Sequence, residues 1–182
     1  MKRTFLSLAI GAAALASVNA NAAPPVVVNG GSINFAGTIV NAACSVSPSS
    51  ANQTVTLGQV RASTLGNDGD TSTVTGFNIV LEDCDTSIST TAEVAFSGVT
   101  ESGKPQVLRV DSGLSGAARN VGIQILDSAG GNVTFNNNSW TPSMTLVDGR
   151  NVIPFQARYV AVGGPATAGT ANAQATFKIQ YQ

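Results

Sequence analysis

Ala171-Asn-Ala-Gln-Ala-Thr-Phe-Lys-Ile-Gln-Tyr-Gln182 closes the chain and alternates without a break. Ala171, Ala173, Ala175, Phe177, Ile179 and Tyr181 fall on one side, and polar residues fall on the other. Period-two alternation marks a β-strand with one buried face. Upstream, Gly31-Ser-Ile-Asn-Phe-Ala-Gly-Thr-Ile-Val40 sets Gly31, Ile33, Phe35, Gly37 and Ile39 in phase in the same way. A strand that runs to the last residue presents an edge with which another chain can pair. Assembly by strand exchange is therefore the first expectation.

The opening residues belong to export. Lys2 and Arg3 are basic, Leu6 to Val18 is an apolar run, and Ala20-Asn21-Ala22 is a small-x-small site. Together they predict a signal peptide over residues 1–22, cut after Ala22, with Ala20 as the alternative. The apolar run is short for a membrane span and nothing downstream is longer, so no stable membrane insertion is expected. About 160 residues remain, which suits one domain. The expected division is a signal peptide at 1–22, an extension at 23–41 and one domain at 42–182.

Charged residues make up 10% of the chain and aromatic residues 5%, while Gly, Thr, Ser, Asn and Val abound. That composition suits an all-β protein with many tight turns. A formal net charge of −1 argues against nucleic acid or an anionic membrane as partner. Low charge with high β-propensity suits a chain that packs against copies of itself. The two cysteines, Cys44 and Cys84, both follow the leader. In an exported chain such a pair predicts a disulfide, and closing this loop is worth about 4 kcal/mol. With no histidine in the chain, a soft metal site is poorly provided for.

Strands are expected at 31–41, 53–60, 74–83, 91–98, 106–111, 119–126, 132–135, 143–147, 151–162 and 171–182. Turn clusters separate them at Gly66 to Asp70, Gly113 to Gly116, Asp127 to Gly131, Asn136 to Asn138, Asp148-Gly149 and Gly163 to Pro165. The prolines at 24 and 25 make the lead-in extended or flexible. Gln59 to Leu65 has room for one short helical turn, and Pro154 inside its run predicts an edge position or a bulge. Short strands at this spacing predict a sandwich or barrel.

Catalytic chemistry is poorly represented, and no cofactor-binding pattern stands out. Nucleophilic catalysis lacks its commonest base, since histidine is missing. Glu82, Asp83 and Asp85 crowd around Cys84 with the oxygens for a carboxylate pair or a hard cation, but Glu82 and Asp83 point to opposite faces, so a solvated strand end and turn is expected. Asn67-Asp68-Gly69-Asp70 lacks calcium-loop spacing and is expected to be a turn. Triplets at Asn52, Asn132 and Asn137 match a glycosylation pattern that matters only where the machinery exists. Trp140 is the lone tryptophan, expected to pack under a loop, with a sugar-stacking platform as the rival.

The upstream strand carries the function. Exposed on a monomer, Ile33, Phe35 and Ile39 are costly; buried in a neighbour they contribute roughly 5–9 kcal/mol before ordering costs. Ladder hydrogen bonds of an added strand come on top. Gly37 suits a shallow place in such a groove, or else a bulge in an ordinary strand.

These segments, with Gln53-Thr-Val-Thr-Leu-Gly-Gln-Val60, Gly76-Phe-Asn-Ile-Val-Leu-Glu-Asp-Cys-Asp85, Val121-Gly-Ile-Gln-Ile-Leu-Asp127 and Ile153-Pro-Phe-Gln-Ala-Arg-Tyr159, run in an order that resembles the chaperone–usher pilus subunits, most closely type 1 fimbrial pilins. The resemblance implies an incomplete immunoglobulin-like β-sandwich that lacks its last strand and carries an N-terminal donor-strand extension. Gly37 stands seven positions before Cys44, where the family has its donor-strand glycine, flanked by Ile33, Phe35 and Ile39. Tyr181 is penultimate, Gly169 is fourteenth from the end, and Phe177 and Ile179 alternate between them, as in the family's groove-lining C-terminal strand. Cys44 and Cys84 match its disulfide pair.

The implied partners are identical or homologous pilin subunits, a periplasmic pilus chaperone and an outer-membrane usher, with the product a surface fimbrium that supports adhesion. A major rod subunit is the expectation. A minor or adaptor pilin of the same machinery is the alternative, and a secreted carbohydrate-binding β-sandwich is the rival from another class.

Overall fold

The computed structural model describes residues 25–111 and 115–182. The expected signal peptide and the start of the turn cluster at Gly113 lie outside the described residues. The chain divides after Thr38. Residues 25–38 contain no regular secondary structure.

The second unit is built from strands. In chain order these are β1 (Ser45–Val46), β2 (Thr75–Cys84), β3 (Thr91–Gly98), β4 (Thr100–Glu101), β5 (Lys104–Arg109), β6 (Val121–Leu126), β7 (Asn136–Trp140), β8 (Met144–Thr145), β9 (Gly149–Ala161) and β10 (Ala175–Tyr181). A six-stranded sheet runs β1-β2-β9-β6-β5-β4. A second sheet runs β10-β3-β7, with β8 also on β3. Every named strand pair is antiparallel.

The two sheets share one apolar layer. Phe77, Ile79 and Leu81 of β2 stand opposite Phe155, Ile153 and Asn151 of β9, so their alternations are in phase. From the facing sheet come Ala92, Val94 and Phe96 of β3. Phe155 joins the sheets, stacking on Phe77 at 5.6 Å and meeting Phe96 edge-on at 5.0 Å. Ile79, Leu81 and Val94 are completely enclosed, each worth about 1.5–3 kcal/mol of burial. Cys44 and Cys84 form a disulfide that fastens the start of the domain to the end of β2.

Several expectations shift for identifiable reasons. Residues 31–41 and 53–60 carry no ladder, although Val55, Leu57 and Val60 are half-buried. Alternation predicts a face; a strand also needs a backbone partner, and this the alternation does not supply. Asn136 to Asn138 is the beginning of β7 rather than a turn. The asparagine chemistry survives as a bulge, because the Asn136 Oδ1 accepts from the amides of Asn138 (3.1 Å) and Ser139 (2.8 Å) while the register on β3 slips.

A helical turn at Pro48–Ala51 escaped the periodicity. It ends the short β1 edge: the Ser47 amide donates to the Val80 carbonyl, and the Val80 amide donates to Ser50 Oγ at 2.9 Å. The short turn expected in 59–65 is a 3-10 helix at Ala62–Leu65. Pro154 sits in a central strand, yet β6 pairs with β9 only from Gln156 onward. Locally, then, Pro154 has a neighbour on one side only, which accommodates its missing N–H.

Candidate functional site

β10 borders only one strand, β3, and its other edge is open among the described residues. Tyr181, Ile179 and Phe177 stand opposite Ala92, Val94 and Phe96 and therefore share their inward face. The two rows differ in enclosure. Ala92, Val94 and Phe96 are 1%, 0% and 3% exposed, whereas Phe177, Ile179 and Tyr181 pack on the same core and stay half-exposed. Ala173 and Ala175 continue that row. The apolar layer is sealed beneath β3 and open along β10. An open ladder edge beside an uncovered apolar row is a slot for one more strand, with hydrogen bonds for affinity and alternate side chains for fit.

The far end of the slot is tied down. Tyr181 donates its hydroxyl to the carbonyl of Cys44 at 3.3 Å, which links β10 to the disulfide. Burial raises the Tyr181 pKa above the ordinary phenol value, so the hydroxyl keeps its proton at neutral pH. The Gln182 carbonyl accepts the amides of Thr90 and Thr91, both at 3.0 Å. None of these partners was legible in the alternation, which identifies a face and names no contact.

Gly169 lies apart from this row, before β10. A Cβ there would stand 2.4 Å from the Ala118 nitrogen and 2.6 Å from the Gly116 oxygen. The neighbouring bonds, Thr170 amide to Gly116 carbonyl at 3.0 Å and Ala118 amide to Thr170 carbonyl at 2.9 Å, hold two backbones in that contact. Its glycine is demanded by close backbone packing.

Upstream, Ile33, Phe35 and Ile39 are 80%, 92% and 101% exposed. A Cβ on Gly37 would meet no atom of the described residues within 4 Å.

Trp140 is half-buried. It lies in β7 opposite Ala95, on the outward face of the smaller sheet, with Lys178 Nζ 5.0 Å above its ring. Asp68 and Asp70 do turn work: Asp70 accepts the Asn67 amide at 2.8 Å, and Asp68 accepts Lys104 Nζ at 2.8 Å and the Gly163 amide at 2.7 Å. The Lys104 hydrogen bond chiefly, and the Gly163 amide after it, lower the Asp68 pKa. Asp85 caps its own turn by accepting the Ser87 amide at 2.9 Å.

The family model for fimbrial proteins matches residues 33–182. The chain belongs to the fimbrial protein family. It is 50% identical to the type-1 fimbrial protein A chain of Escherichia coli, covering 99% of this chain and 98% of that one. It is 47% identical to the fimbrial subunit type 1 of Klebsiella pneumoniae over the full length of both. Among solved structures, this fimbrial protein is similar to the P pilus rod subunit PapA, with a TM-score of 0.66, 30% identity, and 78% of this chain covering all of that one. A subunit from a chaperone–usher pilus studied for rod uncoiling gives a TM-score of 0.73 at 29% identity, with 88% of this chain covering all of that one. Of the sandwich or barrel expected from the strand spacing, the chain adopts the all-β pilin sandwich, and these fimbrial relatives are structural subunits.

Proposed function

We propose that this fimbrial protein is the major structural subunit of a type 1-like fimbria and polymerises by donor-strand exchange. Residues 23–41 of one copy fill the slot along β10 of the next, with Ile33, Phe35 and Ile39 on its apolar row and Gly37 where the slot is shallow. The observation that supports this is the mismatch across one register: Phe177, Ile179 and Tyr181 remain half-exposed beside partners that are fully enclosed. Burying the three donor side chains contributes roughly 5–9 kcal/mol, from which ordering of a flexible segment is subtracted. No covalent bond changes; the process exchanges one strand for a better-fitting one.

A subunit with such an open row needs cover before assembly. In this reading a periplasmic chaperone lends its own strand to β10, and an outer-membrane usher is where the next subunit's extension replaces it. The product is a filament at the cell surface that supports adhesion. Removal of residues 23–41 tests the proposal. The mature full chain should form large, SDS-resistant assemblies, and the truncated chain should form none while retaining chaperone binding. Stable monomers of the full chain under polymerising conditions, destabilised by the truncation, would mean that the segment completes its own sheet.

A further inference from the structure

The outward face of the larger sheet carries a cleft of about 480 Å³ whose chemistry the strand-exchange slot does not use. Gln124 of β6 and Arg158 of β9 stand directly opposite each other there. The alternate β6 residues, Ile123 and Ile125, belong to the core layer instead. Gln124 is nonetheless only 9% exposed, unusual for an amide on an outward face. Arg158 Nε donates to Gln124 Oε1 at 3.0 Å. That bond commits the amide oxygen to the arginine and leaves the adjacent NH2 available to another acceptor.

Among the described residues the Gln124 NH2 has no partner and no fully buried side-chain nitrogen or oxygen lacks one, so this NH2 keeps access to the cleft. Arg158 makes no ion pair among the described residues, and its terminal amino groups are uncommitted. Lys104 stands on the lining, but its charge is matched by Asp68 at 2.8 Å. Gln106 and Asn132 add further amides, and among the described residues no aspartate or glutamate lines the cleft.

We propose that this cleft binds a carboxylate, held by the Arg158 guanidinium and the Gln124 amide NH2. A guanidinium fork beside a second N–H donor matches the two oxygens of a planar carboxylate. One uncompensated positive charge matches a monoanion rather than a phosphate dianion, and the low surroundings of a nine-tenths-buried amide strengthen the contact. The carboxylate has two possible sources: an acidic side chain of a neighbouring copy in the filament, or a small free acid.

The test titrates the mature chain with sodium acetate against sodium chloride at equal ionic strength, following the side-chain NMR signals of Gln124 and Arg158. A saturable shift with acetate alone is expected. Arg158→Gln should weaken it about 10- to 100-fold, the loss expected for a charge-assisted hydrogen bond, and Gln124→Leu should weaken it less. Unchanged melting curves would show that both variants fold. Filaments of the same variants separate the sources. If Arg158→Gln filaments come apart at lower salt than the parent's, and acetate does the same to the parent, the carboxylate belongs to a neighbouring subunit. If the filaments are unchanged while the acetate shift is lost, the ligand is a free acid. Acetate shifts no larger than those of chloride, with unchanged Arg158→Gln filaments, would overturn the proposal. So would acetate shifts that survive Arg158→Gln.

Discussion

Gly37 and Gly169 look alike in the sequence and are glycine for different reasons. At Gly169 the reason lies inside the folded domain, where a Cβ would stand 2.4 Å from the Ala118 nitrogen. Gly169→Ala should therefore cost the domain about 1–3 kcal/mol of stability, the usual penalty of overpacking, read as a lower midpoint in denaturant. At Gly37 no neighbour is within 4 Å of a Cβ, and the proposed reason lies in another copy. Gly37→Val should leave chaperone binding and domain stability unchanged while abolishing assembly; normal filaments from this variant would misplace the donor strand. Tyr181→Phe removes one hydrogen bond, to the Cys44 carbonyl, and should cost about 1 kcal/mol by thermal unfolding. The tyrosine's inward face was legible from alternation. Its bond to a residue 137 positions away was not, because periodicity carries no information about which strands become neighbours.

Among the strands, β2, β3, β6, β9 and β10 were legible because each alternates over enough residues to commit a face to the core. β7 was hidden because its asparagines signal a turn, whereas here the Asn136 side chain holds a bulge within the strand. The segment at 53–60 has the alternation of a strand without a ladder. The loops joining these elements are held by carboxylates. Asp68 joins the 66–70 turn to Lys104 and Gly163, and Asp148 joins its turn to the hydroxyl and amide of Thr86, which lower its pKa in that order. For both, the folded pKa lies below the unfolded one. Their stabilisation is present above the ordinary aspartate range and is lost as pH falls through the depressed values. NMR titration of the carboxyl carbons should place both midpoints below that of a free aspartate, and Lys104→Met should raise only that of Asp68. Midpoints at the free value would contradict these loop contacts.

The domain is a sandwich fastened by one disulfide, with the outer edge of β10 open among the described residues. Breaking the tie with Cys44→Ser and Cys84→Ser frees a loop of 40 residues and should cost up to about 4 kcal/mol, seen as a lower unfolding midpoint. That pairing was legible from an even cysteine count in an exported chain. The alternation of 171–182 pointed to β10, whereas that of 31–41 corresponds to no ladder among the described residues.

The most direct test is to deliver the missing strand separately. A chaperone-bound chain lacking residues 23–41 would be mixed with a synthetic peptide of residues 28–41, and release of chaperone and the melting temperature of the product would be followed. Strand exchange predicts a one-to-one peptide complex, free chaperone and a large rise in melting temperature, none of which a Gly37→Val peptide produces. A truncated chain that leaves its chaperone, stays folded alone and ignores the peptide would contradict it.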